Sequence, residues 1–278
     1  MPTRPVAPAA SRPLPSLFVS HGAPTLALDD GPARRFLTGL GARLARPRAV
    51  LAISAHWAAD ELRVTAAPSP PTMHDFFGFP AALYALRYPA PGAPALAARI
   101  AGLLEAAGYS VHLDVDRGYD HGAWVPLSLL YPAADVPVLQ LSIGAAKSSA
   151  WHWQLGRSLR PLRDEGVLVL GSGSMTHNLA DFRRFRDDVE HAVEPYAEAF
   201  TTWFAQRLAA RELDALLAWR ELAPEAARAH PSDEHLLPLF VALGAAGVAW
   251  SAQRLHCGFM HGAIAMDAYL FQSGSAVG

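Results

Sequence analysis

Three short apolar runs, each followed by a histidine, place the strongest constraint on how this chain can fold. They are residues 17–20 before His21, residues 50–55 before His56, and residues 167–170 before a Gly/Ser turn that leads to His177. Continuous aliphatic runs of this length are typical of strands buried in a parallel sheet. Ligands of open α/β sheets lie beyond the carboxyl ends of such strands, so we expect these three histidines to meet there.

The rest of the chain alternates between helical and strand patterns, without an internal repeat or a linker that would divide it. We therefore predict one α/β domain over residues 16–272, with a mostly parallel central sheet flanked by helices. Two further strands, predicted at 247–254 and 263–271, could pair antiparallel at the sheet edge. Residues 1–15 are rich in proline and alanine and lack the apolar core of a signal peptide, which predicts a disordered or extended lead-in.

The composition narrows the possible partners and location. The 278 residues have a formal net charge of −2, which gives no basic field to attract nucleic acid. No run of about 18 uninterrupted apolar residues is present, so a membrane span is not expected. The single cysteine, Cys257, excludes an internal disulfide and suits a reducing compartment, so we predict a cytoplasmic protein.

The chain has twelve histidines, and two of them, His21 and His56, are the strongest candidates for metal ligands. Each follows a predicted buried strand, and neutral imidazole is a common ligand of Zn(II) and Fe(II). The alternative is a pair of core histidines that donate to backbone carbonyls. Two further histidines are considered: His121, as a group that either supports a metal ligand or contacts a substrate, and His235, near the start of a predicted helix.

A loop at residues 73–80, punctuated by glycine and proline, contains three phenylalanines, Phe76, Phe77 and Phe79. So many aromatic side chains are hard to explain as solvated surface. They could form a hydrophobic wall for a flat ligand. The alternative is that they cap the hydrophobic core from outside.

Six sequence fragments occur in the order found in one enzyme family and together span about residues 16–272. They are F-V-S-H-G-A-P, I-S-A-H-W, D-F-F-G-F-P, D-H-G-A-W-V-P-L, G-S-G-S-M-T-H-N-L and H-P-S-D-E-H-L-L-P-L. On these fragments the chain resembles the extradiol ring-cleaving dioxygenases of the LigB superfamily, in their DOPA-4,5-dioxygenase-like branch. Each fragment alone is a weak signal, whereas six in the same order are highly specific.

The resemblance implies a non-haem metal site made of three histidines. These are His21, His56 and His235. It also implies that His177 is an acid/base catalyst, although a role as a fourth metal ligand stays open. His121 is implied to be a second catalytic group, near the substrate. The wider superfamily uses two histidines and a glutamate, the facial triad expected for Fe(II) oxygenases. Here a histidine takes the third position beside Glu234, so Fe(II) is expected for activity and Zn(II) also suits the site.

The implied reaction is the opening of a catechol ring by O2, giving a muconic-semialdehyde-type product. The side chains expected to hold the ring are the three loop phenylalanines and two tryptophans, Trp57 and Trp124. Two other classes fit the same histidines: a zinc-dependent hydrolase, in which His177 would shuttle protons, and a non-catalytic binder of a metal or small molecule. The motifs do not specify which catechol is used, and the sequence specifies no oligomeric state.

Overall fold

The structure of the protein is a computed structural model that describes residues 13–185, 188 and 191–274. Its strands are β1 (Ser16–Ser20), β2 (Ala49–Ala59), β3 (Leu62–Thr65), β4 (Val111–Asp114), β5 (Val138–Gly144), β6 (Val167–Gly173), β7 (Trp250–His256), β8 (Phe259–Met260), β9 (Ile264–Ala265) and β10 (Ala268–Ser273). Its helices are α1 (Pro32–Gly41), α2 (Ala81–Ala85), α3 (Pro94–Ala106), α4 (His121–Leu130), α5 (Ser149–Leu159), α6 (Pro161–Asp164), α7 (Leu179–Phe185), α8 (Pro195–Ala210), α9 (Leu213–Leu217), α10 (Trp219–Leu222), α11 (Ala226–Ala229) and α12 (Leu237–Ala245). None of the described helices is long and apolar enough to cross a membrane.

Eight of the strands form one sheet, in the order β4-β3-β5-β2-β6-β1-β10-β7. Strands β5, β2, β6 and β1 run parallel through its centre, and their side chains are almost entirely buried. Such burial on both faces is what continuous aliphatic runs predict. The structure confirms the predicted single α/β fold, with a mostly parallel sheet and helices around it.

Antiparallel strands occur on both sides of the parallel centre. The C-terminal strands β10 and β7 pair antiparallel as predicted, but β10 lies inside the sheet between β1 and β7, and only β7 is at the edge. The strand predicted at 263–271 is interrupted at Met266 and Asp267, which separate β9 from β10. A further antiparallel pair, β3 with β5, is not predicted by the sequence. It forms because the chain reverses direction at Asp60 and Glu61, directly after β2.

Strand β2 continues past the predicted apolar run, so that His56 and Trp57 lie inside the strand rather than beyond its end. Its pairing with β5 shifts register between Ile53 and Ala58, the segment that contains both residues. Such irregularities are common beside active sites because they re-aim side chains.

The chain around the start of α12, residues 235–238, packs directly against β6 because β6 has glycines where the two segments meet. A Cβ atom on Gly171 would lie 2.3 Å from the carbonyl oxygen of Pro238, and one on Gly173 would lie 2.0 Å from that of His235. A side chain at either position would push this segment away from the sheet. The backbone N–H of Ser174 also donates to the carbonyl of His235 (2.8 Å). His235 is therefore held at the carboxyl end of β6.

The predicted lead-in at residues 1–15 lies mostly outside the described residues. In its described part, the backbone N–H of Leu14 donates to the carbonyl of Arg163 (3.2 Å). The buried guanidinium of Arg163 donates back to the carbonyl of Leu14 (2.5 Å). These two bonds attach the chain before β1 to the segment before β6.

His152 is a buried structural histidine that should make stability depend on pH. Its Nδ1–H donates to the carbonyl of Ser148 (2.8 Å), and its Nε2 accepts from the backbone N–H of Gly144 (3.2 Å). Burial lowers the pKa of His152 from 6.5 to about 4, although the bond to Ser148 opposes this. The unfolded chain therefore binds this proton first as the pH falls, and folding stability decreases between about pH 6.5 and pH 4.

We expect His152 to account for about 3 kcal/mol of the free energy of unfolding that is lost over this pH range. Urea unfolding of the wild type and of His152→Gln at pH 7 and pH 4 measures this share, because glutamine has no titrating group. Gln154→Ala, at an exposed position of the same helix, is the control and should keep the wild-type pH dependence. The same pH dependence in the wild type and in His152→Gln would contradict the assignment.

Candidate metal centre and active site

Four histidines from separate parts of the chain come together at the carboxyl ends of the central strands. His21 follows β1, His56 lies in β2, His121 begins α4, and His235 precedes α12. The ring centroid of His56 lies 4.0 Å from that of His121, 4.9 Å from that of His235 and 5.0 Å from that of His21. All four side chains are mostly buried, so the cluster is a small polar region enclosed by the protein.

His21 is held by the end of β6 as well as by its own strand. Its backbone N–H donates to the carbonyl of Gly173 (2.9 Å), and its Nδ1 lies 3.0 Å from Ser172 Oγ. Burial lowers the pKa of His21 well below its usual 6.5, and the neighbouring histidines lower it further. The ring is therefore neutral at neutral pH and has a nitrogen lone pair available for binding.

His56 is fixed through its backbone. Its N–H donates to Ser54 Oγ (3.2 Å), and the Ser54 hydroxyl donates in turn to Asp120 Oδ1 (2.7 Å). The Nε2 of His56 is 3.0 Å from the Nε2 of His21, so the two nitrogens face each other. Burial lowers the pKa of His56 to about 4, and the neighbouring His121 contributes to this.

Asp120 is the buried carboxylate that supports this side of the cluster. Besides the serine bond, it accepts from Arg117 Nη2 (3.0 Å), from Gln140 Nε2 (2.8 Å) and from the backbone N–H of Ala123 (3.2 Å). A buried charge is tolerated when it is paired and hydrogen-bonded, and Asp120 meets both conditions. As the N-cap of α4, it fixes the start of the helix and with it the position of His121.

His121 is oriented by Asp75, a residue of the aromatic loop. Asp75 Oδ1 accepts from both the Nδ1 (3.0 Å) and the backbone N–H (2.9 Å) of His121. Burial alone would raise the pKa of Asp75, but the bonds from His121 lower it to about 2, so Asp75 is a carboxylate at neutral pH. A carboxylate only accepts, so the Nδ1 of His121 must bear a proton, which leaves its Nε2 for contacts within the cluster.

His235 and His177 form a second group at the site, with their rings stacked at a centroid separation of 3.3 Å. His235 Nδ1 donates to Glu234 Oε1 (3.1 Å), whereas its buried Nε2 has no hydrogen-bond partner among the described residues. Burial lowers the pKa of His177 to about 4, although the charge of Glu234 opposes this. The backbone N–H of His177 donates to the carbonyl of Ala229 (2.8 Å), which fixes the turn after β6.

Comparison with known proteins identifies the family. The sequence profile described as the catalytic LigB subunit of aromatic ring-opening dioxygenase matches residues 15–266 of this chain. The chain belongs to the LigB family. The resemblance inferred from the six sequence fragments is thereby confirmed.

Individual relatives support the same assignment for this LigB protein. It is 42% identical over 262 residues to a 4,5-DOPA dioxygenase extradiol of Beta vulgaris, covering 93% of this chain and 96% of that protein. It is 41% identical over 244 residues to a protein of the same name from Escherichia coli K12, covering 86% of each. The crystal structure of an uncharacterized Escherichia coli K12 protein aligns with a TM-score of 0.77 at 34% identity, covering 92% of this chain and 99% of that one. The chain is an enzyme of the LigB extradiol dioxygenase family.

The three loop phenylalanines of this LigB enzyme lie in different environments. Phe76 is buried, and its ring is edge-on to that of His121 at 5.7 Å. Phe79 packs against Phe76 at a ring separation of 5.3 Å. Phe77, by contrast, is 90% exposed. Phe76 therefore packs directly against the histidine cluster, and Phe79 packs against Phe76.

The two predicted tryptophans are both buried. Trp124 Nε1 donates to the carbonyl of Met73 (2.9 Å), a bond that attaches the aromatic loop to α4. The guanidinium carbon of Arg117 lies over the ring of Trp57, 4.5 Å from the ring centroid. Substrate contact by either tryptophan stays a prediction.

The donors of this LigB site fit a metal ion. His21, His56 and His121 offer ring nitrogens that lie within 4.8 Å of one another. Two nitrogens on one tetrahedral ion at about 2.1 Å would be roughly 3.4 Å apart. The Nε2 atoms of His21 and His56 are 3.0 Å apart, which is close to that spacing. The unpartnered Nε2 of His235 is a further donor that a cation would satisfy. A second group with ligand atoms equally close consists of His177, Glu234 and His235.

Three residues that support the cluster have no role assigned from the sequence alone. They are Asp75, Asp120 and Ser172. Each lies inside one of the six family fragments, and that position was the available signal. What the fragments could not provide is the partner of each side chain, because Asp75 and Ser172 bond to histidines 46 and 151 residues away.

Proposed function

We propose that this enzyme opens the aromatic ring of a catechol with O2 at a non-haem Fe(II) ion, giving a muconic-semialdehyde-type product. Membership of the LigB family supports the reaction class. The observation that most directly supports the metal is the cluster of buried, mostly neutral imidazoles beside an aromatic loop. Catechol and O2 are therefore the proposed substrates.

The proposed metal ligands are His21, His56 and His235. The Nε2 atoms of His21 and His56 face each other at 3.0 Å. Glu234 accepts the Nδ1–H of His235 and leaves its buried Nε2 as a lone pair without a partner, which is the arrangement of a metal-binding histidine. Fe(II) held by these three histidines would supply the centre at which a catechol and O2 react, and Zn(II) suits the same donors.

His177 and His121 are the proposed proton-transfer groups. His177 is neutral at neutral pH, because burial lowers its pKa, so it can accept a proton from a catechol hydroxyl. The nearby carboxylate of Glu234 stabilises the imidazolium that results. His121 has Nδ1–H bonded to Asp75, so a proton accepted at its Nε2 would be stabilised in the same way.

The aromatic loop is the proposed wall for the substrate ring. Phe76 is the best placed of its residues, because it is buried and contacts His121. The ring of Phe79 packs against that of Phe76. Contact with the substrate stays a prediction for Phe77, Trp57 and Trp124.

A cytoplasmic location is proposed as well. The single cysteine, Cys257, is exposed and free, and a free surface thiol suits a reducing compartment. No partner other than the small-molecule substrates is proposed.

Oxygen uptake tests the proposed reaction. Protein loaded with Fe(II) under anaerobic conditions is mixed with O2 and a panel of catechols that includes catechol, DOPA and larger aromatics. For at least one of them we expect one O2 to be consumed per ring opened, together with a coloured product. Zn(II)-loaded protein is the control and should consume no O2.

The absence of O2 uptake with every catechol at full Fe(II) occupancy would contradict the proposed reaction. Hydrolysis of an ester or amide by the Zn(II)-loaded protein, in the same preparation, would then favour the zinc-dependent hydrolase. Among active catechols, the one with the highest kcat/KM defines the substrate class.

A further inference from the structure

Ser172 is a fully buried residue of β6 that contacts both His21 and the start of α4. Its hydroxyl donates to the carbonyl oxygen of Gly122 (2.5 Å), and its Oγ lies 3.0 Å from the Nδ1 of His21. One serine therefore joins three elements of the fold, at the point where the histidines converge.

The direction of these two hydrogen bonds follows from the atoms involved. A carbonyl oxygen only accepts, so the single O–H of Ser172 must point at Gly122. What remains on Ser172 Oγ are lone pairs, so the Nδ1 of His21 must be the donor of the second bond. A neutral imidazole has one N–H, and the lone pair of His21 is therefore on Nε2.

That lone pair lies where a metal would bind. The Nε2 of His21 is 3.0 Å from the Nε2 of His56, while its Nδ1 is turned toward β6. In the opposite tautomer, an Nε2–H would point into the cluster and block a metal ion. The Nδ1 lone pair would at the same time face the lone pairs of Ser172.

We propose that Ser172 is a positioning residue that holds His21 in the Nδ1–H tautomer and so keeps its Nε2 free for a metal. Only the metal affinity depends on the proposed function, since the tautomer follows from the hydrogen bonds alone. Loss of an outer hydrogen-bond partner of a metal-binding histidine typically weakens metal binding by about 10- to 100-fold.

Two measurements on Ser172→Ala test this role. In metal-free protein, long-range 1H–15N correlation NMR distinguishes the two tautomers of the His21 ring, whose signals are assigned with His21→Ala. We expect the Nδ1–H tautomer in the wild type and the loss of this preference in Ser172→Ala. Chelator competition measures the Kd for Zn(II) without any need for activity, and we expect it to rise by about 10- to 100-fold.

Ser16→Ala is the matched control. Ser16 is also fully buried in the central sheet, and its hydroxyl donates to the carbonyl of Ala242 (2.7 Å), but it lies at the other end of β1 from His21. Both variants lose one buried hydroxyl–carbonyl bond, so a general loss of stability affects them alike. Only Ser172→Ala should change the His21 ring signals and the Kd for Zn(II).

An Nε2–H tautomer of His21 in the wild type would overturn the proposal, as would a Kd for Zn(II) in Ser172→Ala equal to that in Ser16→Ala. If Ser172→Ala does not fold, Ser172→Cys replaces it, because a thiol has a similar shape but is a weaker acceptor, and it should also weaken zinc binding. These outcomes are separate from failure of the proposed reaction. In a protein that opens no catechol, the His21 tautomer and the Kd for Zn(II) can still be measured.

Discussion

Replacing His235 with alanine should release the metal from the enzyme. The buried Nε2 of His235 has no hydrogen-bond partner among the described residues, and its Nδ1 donates to Glu234. Loss of a direct metal ligand should weaken metal binding more than loss of a hydrogen-bond partner of that ligand. We therefore expect the metal affinity to fall by more than about 100-fold. Metal analysis after dialysis should then find only a small fraction of one ion per chain, for both Fe(II) and Zn(II).

His121→Ala is the comparison that separates the two possible ligand sets. The ring of His121 also lies in the cluster, 4.0 Å from that of His56, but its Nδ1 donates to Asp75 in the aromatic loop. We expect His121→Ala to keep its metal and to lose activity. Full metal occupancy in His235→Ala, or loss of metal in His121→Ala alone, would contradict the assignment and favour His21, His56 and His121 as the ligands.

Replacing His177 with glutamine should remove most of the ring-opening activity while the metal stays bound. Its ring stacks on that of His235, and its lowered pKa makes it a proton acceptor at neutral pH. General acid–base groups contribute about 10²- to 10⁴-fold to rates, and we expect kcat to fall within that range with KM little changed. Initial rates of O2 uptake, normalised to bound Fe(II), measure the effect.

The control for this variant is His152→Gln, which alters a buried histidine whose two ring nitrogens hydrogen-bond to backbone atoms of Ser148 and Gly144. It should keep its kcat at neutral pH. An unchanged kcat in His177→Gln would exclude the proton-transfer role. Loss of metal from His177→Gln would instead make His177 a fourth ligand.

Much of the fold could be predicted because it depends on local patterns. Apolar runs of strand length identify β1, β2 and β6 as buried parallel strands, and the rule that ligands lie beyond their carboxyl ends predicts where the histidines gather. The rings of His21 and His56 lie 5.0 Å apart for this reason. His235 joins them because glycines in β6 admit its backbone, and the ring of His177 stacks on that of His235.

The parts that could not be predicted depend on the path of the chain between elements. The position of β10 inside the sheet depends on its pairing with β1, and local hydrophobicity does not encode that pairing. The bond from His121 to Asp75 depends on an irregular loop that has no periodicity to analyse.

The attachment of Asp75 to His121 divides the aromatic loop into two parts with different tolerance to change. Residues up to Asp75 determine how an imidazole of the active site is turned, so an insertion or deletion there would disturb the chemistry for every substrate. Residues 77–80 lie beyond both that anchor and Phe76, whose ring packs against His121, so their size and shape could be altered without moving His121. If the loop is the substrate wall proposed above, changes at residues 77–80 can alter specificity, while the residues up to Phe76 preserve the reaction.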